Sequence, residues 1–404
     1  MTEKFYDAAI IYLNSGYMLH NDVINIIKCC KQCSANIPKS IVSLISSSLS
    51  SNYILNNMTK YYMKELILYN TSSFTDNVLD TIININSISI LSLHKLYLNQ
   101  FTIVNKNDSN CIKSSSIHSL DLTENILHGD VLIDTLYHYS LTKLYDLNTL
   151  ILDDSLQLDD SHIQNIIDIL PTLHTLSMRR ILTLQSIEIL QLHQLQDISF
   201  ANCNKLNNLT FEKGNSLLKL DISWTYLNDD NLNGIIESCT NLKILISSYC
   251  MNLKNIDITS STIEEIQMMG CLNIKTMKLH CNKLRGLYVK SCRDLEEVDL
   301  DCHQLKELDL SMLQKLVMLK LKLPSLSLLQ LTGCKSLSVS KKELKLIIKD
   351  CLMLNIDTLI ASCIEGSGIS FDNEMKSLQQ NKKLLDASNN SYNRPFNHRR
   401  SASV

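Results

Sequence analysis

The feature that most constrains this chain is an apolar triplet that returns every ten or eleven residues. The segment LRGLYVKSCRDLEEVDLDCHQLKELDL, residues 284–310, contains this triplet three times. Each triplet is a leucine, two intervening residues, an aliphatic residue, one intervening residue and a second aliphatic residue. The triplets begin at Leu284, Leu295 and Leu305. An α-helix repeats about every 3.6 residues and does not explain this spacing. A flattened spiral does, because each coil then has two extended segments, one on either side.

The central aliphatic residues of the triplets form two interleaved ladders, each with a constant step of 21 residues. The first ladder contains Leu245, Ile266, Leu287, Leu308 and Leu329, and the second contains Ile256, Met277, Val298 and Leu319. Upstream, the first ladder continues in steps of 22 to 30 residues through Leu220, Ile198, Leu176, Leu150, Leu120, Leu91 and Leu66. The first ladder therefore predicts twelve parallel inner strands.

The longer coils predict helices on their outer side. Apolar residues lie three and four apart in the segments 74–85, 129–141, 160–170 and 228–239, and 341–351 predicts one more helix. Around 250–337 the coils are too short for a helix plus a strand, so their outer side is predicted to be extended. Helices need roughly 8–10 Å between axes and strands about 4.8 Å. The helical coils should therefore bend into an arc whose concave face is lined by the inner strands.

Cysteines close most of these coils, five residues after the strand centre. They are Cys203, Cys250, Cys271, Cys292 and Cys334, and Cys281 and Cys302 have a similar place in the second ladder. A small side chain with a weak S–H donor can fill such a turn and reach a neighbouring carbonyl. Strand alternation directs Cys281 and Cys302 inward and the adjacent His280 and His303 outward, so we expect no metal site and no cofactor.

The segment SCTNLKILISSYCMNL, residues 238–253, resembles the cysteine-containing leucine-rich repeat. Cys239, Leu242, Leu245, Cys250 and Leu253 fill that pattern, and Ser247 replaces one leucine. The repeat type is typical of F-box/leucine-rich-repeat proteins and of the antagonist-of-mitotic-exit family. The resemblance implies an α/β leucine-rich-repeat solenoid and, as function, substrate recognition for a cullin-type ubiquitin ligase that contains Skp1.

The two ends of the chain depart from the repeat. Residues 1–58 are predicted to form a helical cap, and within them NIPKSIVSLISSSLSS, residues 36–51, also resembles a degenerate F-box. The solenoid is expected over 59–363. Residues 364–404 are rich in Asn and Ser and are predicted to be a disordered tail.

Charge and motif content narrow the function. The net charge is −3 and the inner strands carry no stripe of Lys and Arg, so we expect neither nucleic acid nor membrane as partner. Phosphate-binding glycine loops and a Ser–His–acid set are not found in the sequence, so we expect no enzyme. The fourteen cysteines without a secretory signal indicate reduced thiols and a cytoplasmic or nuclear location.

With these classes excluded, the surface of the inner strands is the candidate functional region. We expect a protein partner to bind there, on the concave face. Residues beside the buried aliphatics form a mixed-charge row with aromatic anchors. The candidate binding residues are Tyr69, His94, Asp121, Asp153, Arg179, Asp221, Met269, Tyr288, Lys290 and Asp309. A structural scaffold or a regulatory inhibitor with no connection to ubiquitin ligases is the alternative function.

Overall fold

The computed structural model describes residues 42–46, 63–68, 82, 90–93, 117–126, 128–140, 144–331, 334, 344–349 and 369–371. The helix expected at 74–85 lies outside the described residues except for Ile82, which is helical. The chain divides into two compact units after Asn252.

The first unit is built on a parallel sheet. Its strands are β1 Val42–Ser46, β2 Met63–Leu68, β3 Ile90–Leu93, β4 Ser119–Asp121, β5 Thr149–Ile151, β6 Thr175–Ser177, β7 Ser186–Ile189, β8 Asp197–Ser199, β9 Asn208–Phe211, β10 Lys219–Asp221 and β11 Ile244–Ile246. All except β7 and β9 pair in chain order. The strand centres align in register from Leu66 to Leu245 and are buried, which confirms the predicted strands of this unit.

Three helices of the first unit have the predicted positions: α1 Gly129–Ser140, α2 Asp160–Ile169 and α3 Asp229–Ser238. Helices α2 and α3 begin with capping boxes, in which Asp159 and Asn228 accept hydrogen bonds from the backbone N–H of His162 and Asn231. The apolar face of α2 buries Ile163, Ile166 and Ile167. The apolar residues three and four apart that predicted α2 are thus the residues that it buries.

The coils between Leu176 and Leu220 differ from this pattern. Their steps of 22 residues leave no room for a helix, and β7 and β9 pair in parallel as an outer layer instead. Extended outer segments were predicted only around 250–337. They also occur in the first unit, because the coil length decides whether a helix fits.

The second unit has extended segments on both sides of its coils, as predicted. Its strands are β12 Asn255–Ser260, β13 Glu265–Gln267, β14 Thr276–Cys281, β15 Gly286–Tyr288, β16 Glu297–Asp301, β17 Glu307–Asp309, β18 Met318–Lys322, β19 Leu328–Gln330, β20 Leu344–Lys349 and β21 Ile369–Phe371. One parallel sheet has the order β12-β14-β16-β18-β20-β21, while β13 pairs with β15 and β17 with β19. Strand centres Met277, Val298 and Leu319 align in register and are buried.

Strands replace other expected structures at three places. Leu344–Lys349, within the helix predicted over 341–351, is β20, in which Leu346 and Ile348 pair with Leu319 and Leu321 of β18. Val42–Ser46 is a strand paired with β2, where the cap was expected to be helical. Ile369–Phe371 pairs with β20, where a disordered tail was expected. Unpaired edge groups of a parallel sheet recruit such segments, and the rest of the predicted cap and tail lies outside the described residues.

The described part of the chain is an α/β leucine-rich-repeat solenoid, with its described helices in the first unit and strands on both sides of the coils in the second. None of its helices combines the length and apolar character that crossing a membrane requires.

Candidate protein-binding face

A regular turn follows the inner strands β4, β5, β6, β8, β10 and β13. The residue two positions after the strand centre donates its N–H to the next coil, as Met178 does to Ser199 O over 2.9 Å. The residue four positions after the centre does the same, as Trp224 does to Ser248 O over 2.9 Å. These bonds continue the sheet ladder beyond the strands and fix the turns of adjacent coils against one another.

The residue four positions after the centre has a positive φ in coil after coil. We call this set the turn row; it comprises Glu124, Asp154, Arg180, Asn202, Trp224 and Tyr249 in the first unit and Gly270, Ser291 and Met312 in the second. A residue other than Gly pays about 1–2 kcal/mol for this left-handed conformation, and Asn or Asp pays least. The ladder of backbone hydrogen bonds holds the larger residues there.

The acidic residues predicted to bind a partner are occupied by these turns. Asp121 accepts a hydrogen bond from Thr123 N at 3.0 Å, and Asp221 accepts one from Ser223 N at 3.0 Å. Asp153 reaches the next coil and accepts from Arg179 N at 2.8 Å. A carboxylate that accepts a hydrogen bond from a turn of its own or of the next coil has fewer lone pairs left for a partner. These three side chains therefore shape the face of the inner strands first.

Arg179 is exposed and lies across this face, where its Nε donates to Ser199 Oγ at 3.0 Å. The next outward positions of the first unit hold small side chains that are almost fully buried: Ser199, Ala201, Ser223 and Ser248. We call these four residues the small-residue floor.

Tyr288 and Lys290 of the second unit are exposed, as the strand pattern predicted. The ring of Tyr288 lies over Gly286, where an added Cβ would be 3.2 Å from Tyr288 Cε2. Lys290 Nζ lies 3.0 Å from Asp309 Oδ2. Burial alone would raise the pKa of Asp309, but hydrogen bonds from Ser311 and the charge of Lys290 outweigh it and lower that pKa.

Met269 is half-buried and follows β13, whose Gln267 pairs with Tyr288 of β15. Tyr69 and His94 lie outside the described residues. Among the candidates that the structure describes, Lys290 with Asp309 and Asp153 with Arg179 are brought together directly.

The sequence reasoning missed an aromatic pair on the turn row. Trp224 and Tyr249 stack with ring centroids 4.5 Å apart and planes 13° from parallel. Their exposed fractions are 46% and 40%. We call the pair the aromatic ledge. Its signal in the sequence is that both residues lie four positions after a strand centre, Leu220 and Leu245.

The thiols form a second ladder beneath this face. Four of the cysteines five residues after a strand centre donate to a carbonyl of the preceding coil: Cys203 to Met178 O at 3.0 Å, Cys250 to Ile222 O at 3.1 Å, Cys292 to Met268 O at 3.0 Å and Cys334 to Leu310 O at 3.2 Å. Desolvation raises the pKa of Cys203 to about 12 and that of Cys292 to about 11. The thiols are therefore neutral packing groups, as their position predicted.

Cys281 and Cys302 also face inward and donate to Ile258 O and Leu279 O, each at 3.7 Å. Their neighbours His280 and His303 are exposed on the other face. The predicted alternation is confirmed, and it separates these thiols from these imidazoles.

Comparison with known proteins gives structural likenesses only. No protein-family model and no curated protein matches the chain. It is similar to a structure of the Rad7 and Elc1 complex in yeast, with 12% identity, a TM-score of 0.33 and coverage of 93% of this chain and 94% of that chain. An internalin from Listeria monocytogenes matches with 15% identity, a TM-score of 0.23 and coverage of 74% and 89%. A structure of a TLR13–ssRNA13 complex matches with 12% identity, a TM-score of 0.20 and coverage of 72% and 57%.

Proposed function

We propose that this protein is a non-enzymatic protein-interaction module that binds a protein partner on the face of its inner strands. The aromatic ledge of Trp224 and Tyr249 carries the proposal. Both rings are held outward by a backbone conformation that Asn or Gly adopts at lower cost. Trp and Tyr are the residue types most enriched where a few side chains supply most of the binding free energy.

The surroundings of the ledge favour a protein segment as occupant. The small-residue floor gives an approaching chain room beside the rings, and Arg179 supplies a cation at its edge. An apolar side chain of the partner would pack on Trp224, while an acidic or carbonyl oxygen would meet the guanidinium of Arg179. In the second unit, Tyr288 and Lys290 offer the same combination of ring and cation, and we propose them as a candidate binding surface of that unit.

The finer proposal is that the chain is the substrate-recognition subunit of a cullin-type ubiquitin ligase in the cytoplasm or nucleus. The cysteine-containing repeat supports it, since the thiol ladder follows the positions that the resemblance implies. Strand β1 occupies the centre of the segment that resembles an F-box. An F-box helix at Val42–Ser46 is therefore not part of the proposal, and attachment to Skp1 would have to use other residues.

The test is capture of partners by the tagged full-length chain from cell extract, followed by identification of the captured proteins. Changing Trp224→Ala together with Tyr249→Ala should reduce capture of the principal partner at least tenfold. Tyr226→Ala is the matched control, because Tyr226 is also exposed in the first unit, at 54%, but lies outside the ledge.

Two results test the proposed binding site and the proposed ubiquitin-ligase role separately. Equal capture by the ledge variant and the control would reject the ledge as the binding site. Capture of a partner without Skp1 or a cullin would reject the ligase connection and leave the alternative, a scaffold or regulatory inhibitor.

A further inference from the structure

Two imidazoles and a carboxylate converge where helices α1 and α2 begin. The ligand atoms of His128, Asp130 and His162 all lie within 4.8 Å of one another. His162 Nε2 is 3.5 Å from Asp130 Oδ1, and His128 Nδ1 is 3.5 Å from Asp130 Oδ2. In a tetrahedral site with metal–ligand distances near 2.1 Å, neighbouring ligand atoms are about 3.4 Å apart. Each imidazole nitrogen therefore lies near that distance from one oxygen of Asp130, Oδ1 for His162 and Oδ2 for His128, and a small shift of one side chain lets both share an ion with a single carboxylate oxygen.

A further carboxylate orients the most buried of the three ligands. Asp159 Oδ1 lies 2.7 Å from His162 Nδ1, and the Asp159 backbone nitrogen lies 3.3 Å from the same atom. Nδ1 can accept the Asp159 N–H, as in the capping box, or carry the proton and donate it to the closer Asp159 carboxylate. Metal binding through Nε2 uses the second arrangement, with the proton on Nδ1. The lone pair of Nε2 then points toward Asp130. Metal-binding histidines are held in this way by a carboxylate on the other ring nitrogen.

The backbone at Gly129 also allows the His162 ring to come close to His128 and Asp130. Gly129 separates His128 from Asp130, and a Cβ at that position would overlap the Cδ2, Cγ and Nε2 atoms of the His162 ring. Glycine thus lets the imidazole of one coil reach the first turn of the helix in the preceding coil. The two histidine rings meet edge to face with centroids 6.0 Å apart.

We propose that His128, Asp130 and His162 form a binding site for a divalent transition-metal ion of the Zn²⁺ type. Two imidazoles with one carboxylate suit such an ion better than Mg²⁺ or Ca²⁺, which prefer oxygen ligands alone. The fourth position faces solvent, since the side chains of His128 and Asp130 are 64% and 76% exposed. The ion would clamp the first turn of α1 to the first turn of α2. This site is independent of the proposed partner-binding face.

The primary test is Zn²⁺ binding by titration calorimetry on the full chain in the presence of a phosphine reductant. We expect one ion per chain and a Zn²⁺-dependent rise in the melting temperature. The variant His162→Gln should abolish both effects, while the helix N-terminus stays capped, because a Gln at the third helical position can itself accept the Asp159 N–H. Asp159→Asn should keep the helix cap and weaken Zn²⁺ binding about 10–100-fold, because it removes only the orienting charge.

Controls separate this site from other ligands. His193→Ala removes an exposed histidine that pairs with a single carboxylate, Glu212, at 2.8 Å, and should leave Zn²⁺ binding unchanged. Co²⁺ bound at the proposed site should lack the near-ultraviolet charge-transfer band of thiolate ligands. Unchanged binding in His162→Gln, a thiolate band, or no saturable binding by the native chain would each overturn the proposal.

Discussion

The indole of Trp224 lies on the phenol ring of Tyr249, with centroids 4.5 Å apart and planes 13° from parallel. Both residues have left-handed backbones, with φ of 58° and 60°, and occupy the same position in consecutive coils. Adjacent strands of a parallel sheet are separated by about 4.8 Å. The repeat therefore brings the two rings to stacking distance without any further folding of the chain.

Trp224 is the one tryptophan in the sequence, so intrinsic fluorescence excited at the indole band reports on the ledge alone. With 46% of the residue exposed, we expect ready quenching by acrylamide in the native state. Tyr249→Ala should increase the quenching constant, because it uncovers one face of the indole, and Tyr226→Ala should leave it unchanged. A native chain whose emission resists the quencher would contradict the described geometry.

The anchors of the second unit give a prediction about binding without loss of stability. Tyr288→Ala combined with Lys290→Ala should lower the free energy of unfolding little, because the Lys290–Asp309 ion pair is exposed on its lysine side and such pairs contribute about 0–1 kcal/mol. Capture of the partner should fall sharply. Leu272→Ala, which truncates another exposed apolar residue of this unit, is the control.

Equal capture by the Tyr288/Lys290 variant and by native protein, with both fully folded, would reject Tyr288 and Lys290 as a binding surface of the second unit. A large loss of stability would instead show that the ring of Tyr288 is needed to cover Gly286.

Much of the fold could be predicted because the repeat reveals which residues share a position. Leu120, Leu150 and Leu176 were assigned to adjacent strands from spacing alone, and they align in register. The helix at Asp160–Ile169 followed from apolar residues three and four apart. The segment 341–351 was misassigned because KLII fits both periods, and the open edge beside β18 decides for a strand.

The candidate sites were less predictable, because they depend on geometry that spacing does not encode. Asp121 and Asp221 stay predicted binding residues, and spacing did not reveal that their carboxylates also accept hydrogen bonds from the turns that follow their strands. The contact of Trp224 with Tyr249 requires knowing that the turn row is left-handed. His128 and His162 are 34 residues apart, and only the packing of α1 on α2 brings them together.

The thiol ladder predicts resistance to modification. Cys250, Cys271 and Cys292 have no exposed surface, so a thiol reagent should label them in the native chain only as fast as the solenoid opens. Replacing Cys292 by Ala should cost about 1 kcal/mol, because Met268 O loses its S–H donor. Cys292→Lys should cost several kcal/mol, because it buries an unpaired charge. Urea unfolding of the two variants measures both, and rapid native labelling of all three thiols would contradict their burial.

The same burial makes the stability sensitive to alkaline pH. Desolvation raises the pKa of Cys203 and Cys281 to about 12 and that of Cys292 and Cys302 to about 11, against an ordinary value of 9.0. Above pH 9 the unfolded chain releases these protons while the folded chain retains them. The stabilisation from the neutral thiols is therefore complete below pH 9 and is lost as pH rises toward 11–12.

At pH 10 each such thiol should lower the free energy of unfolding by about 1.4 kcal/mol relative to pH 7. Urea unfolding of the native chain and of Cys203→Ala at both pH values isolates one thiol, since every other ionisable group is common to the two proteins. Between pH 7 and pH 10 the free energy of unfolding of the variant should fall by about 1.4 kcal/mol less than that of the native chain. Identical losses would show that the Cys203 thiol is not shielded from water in the folded state.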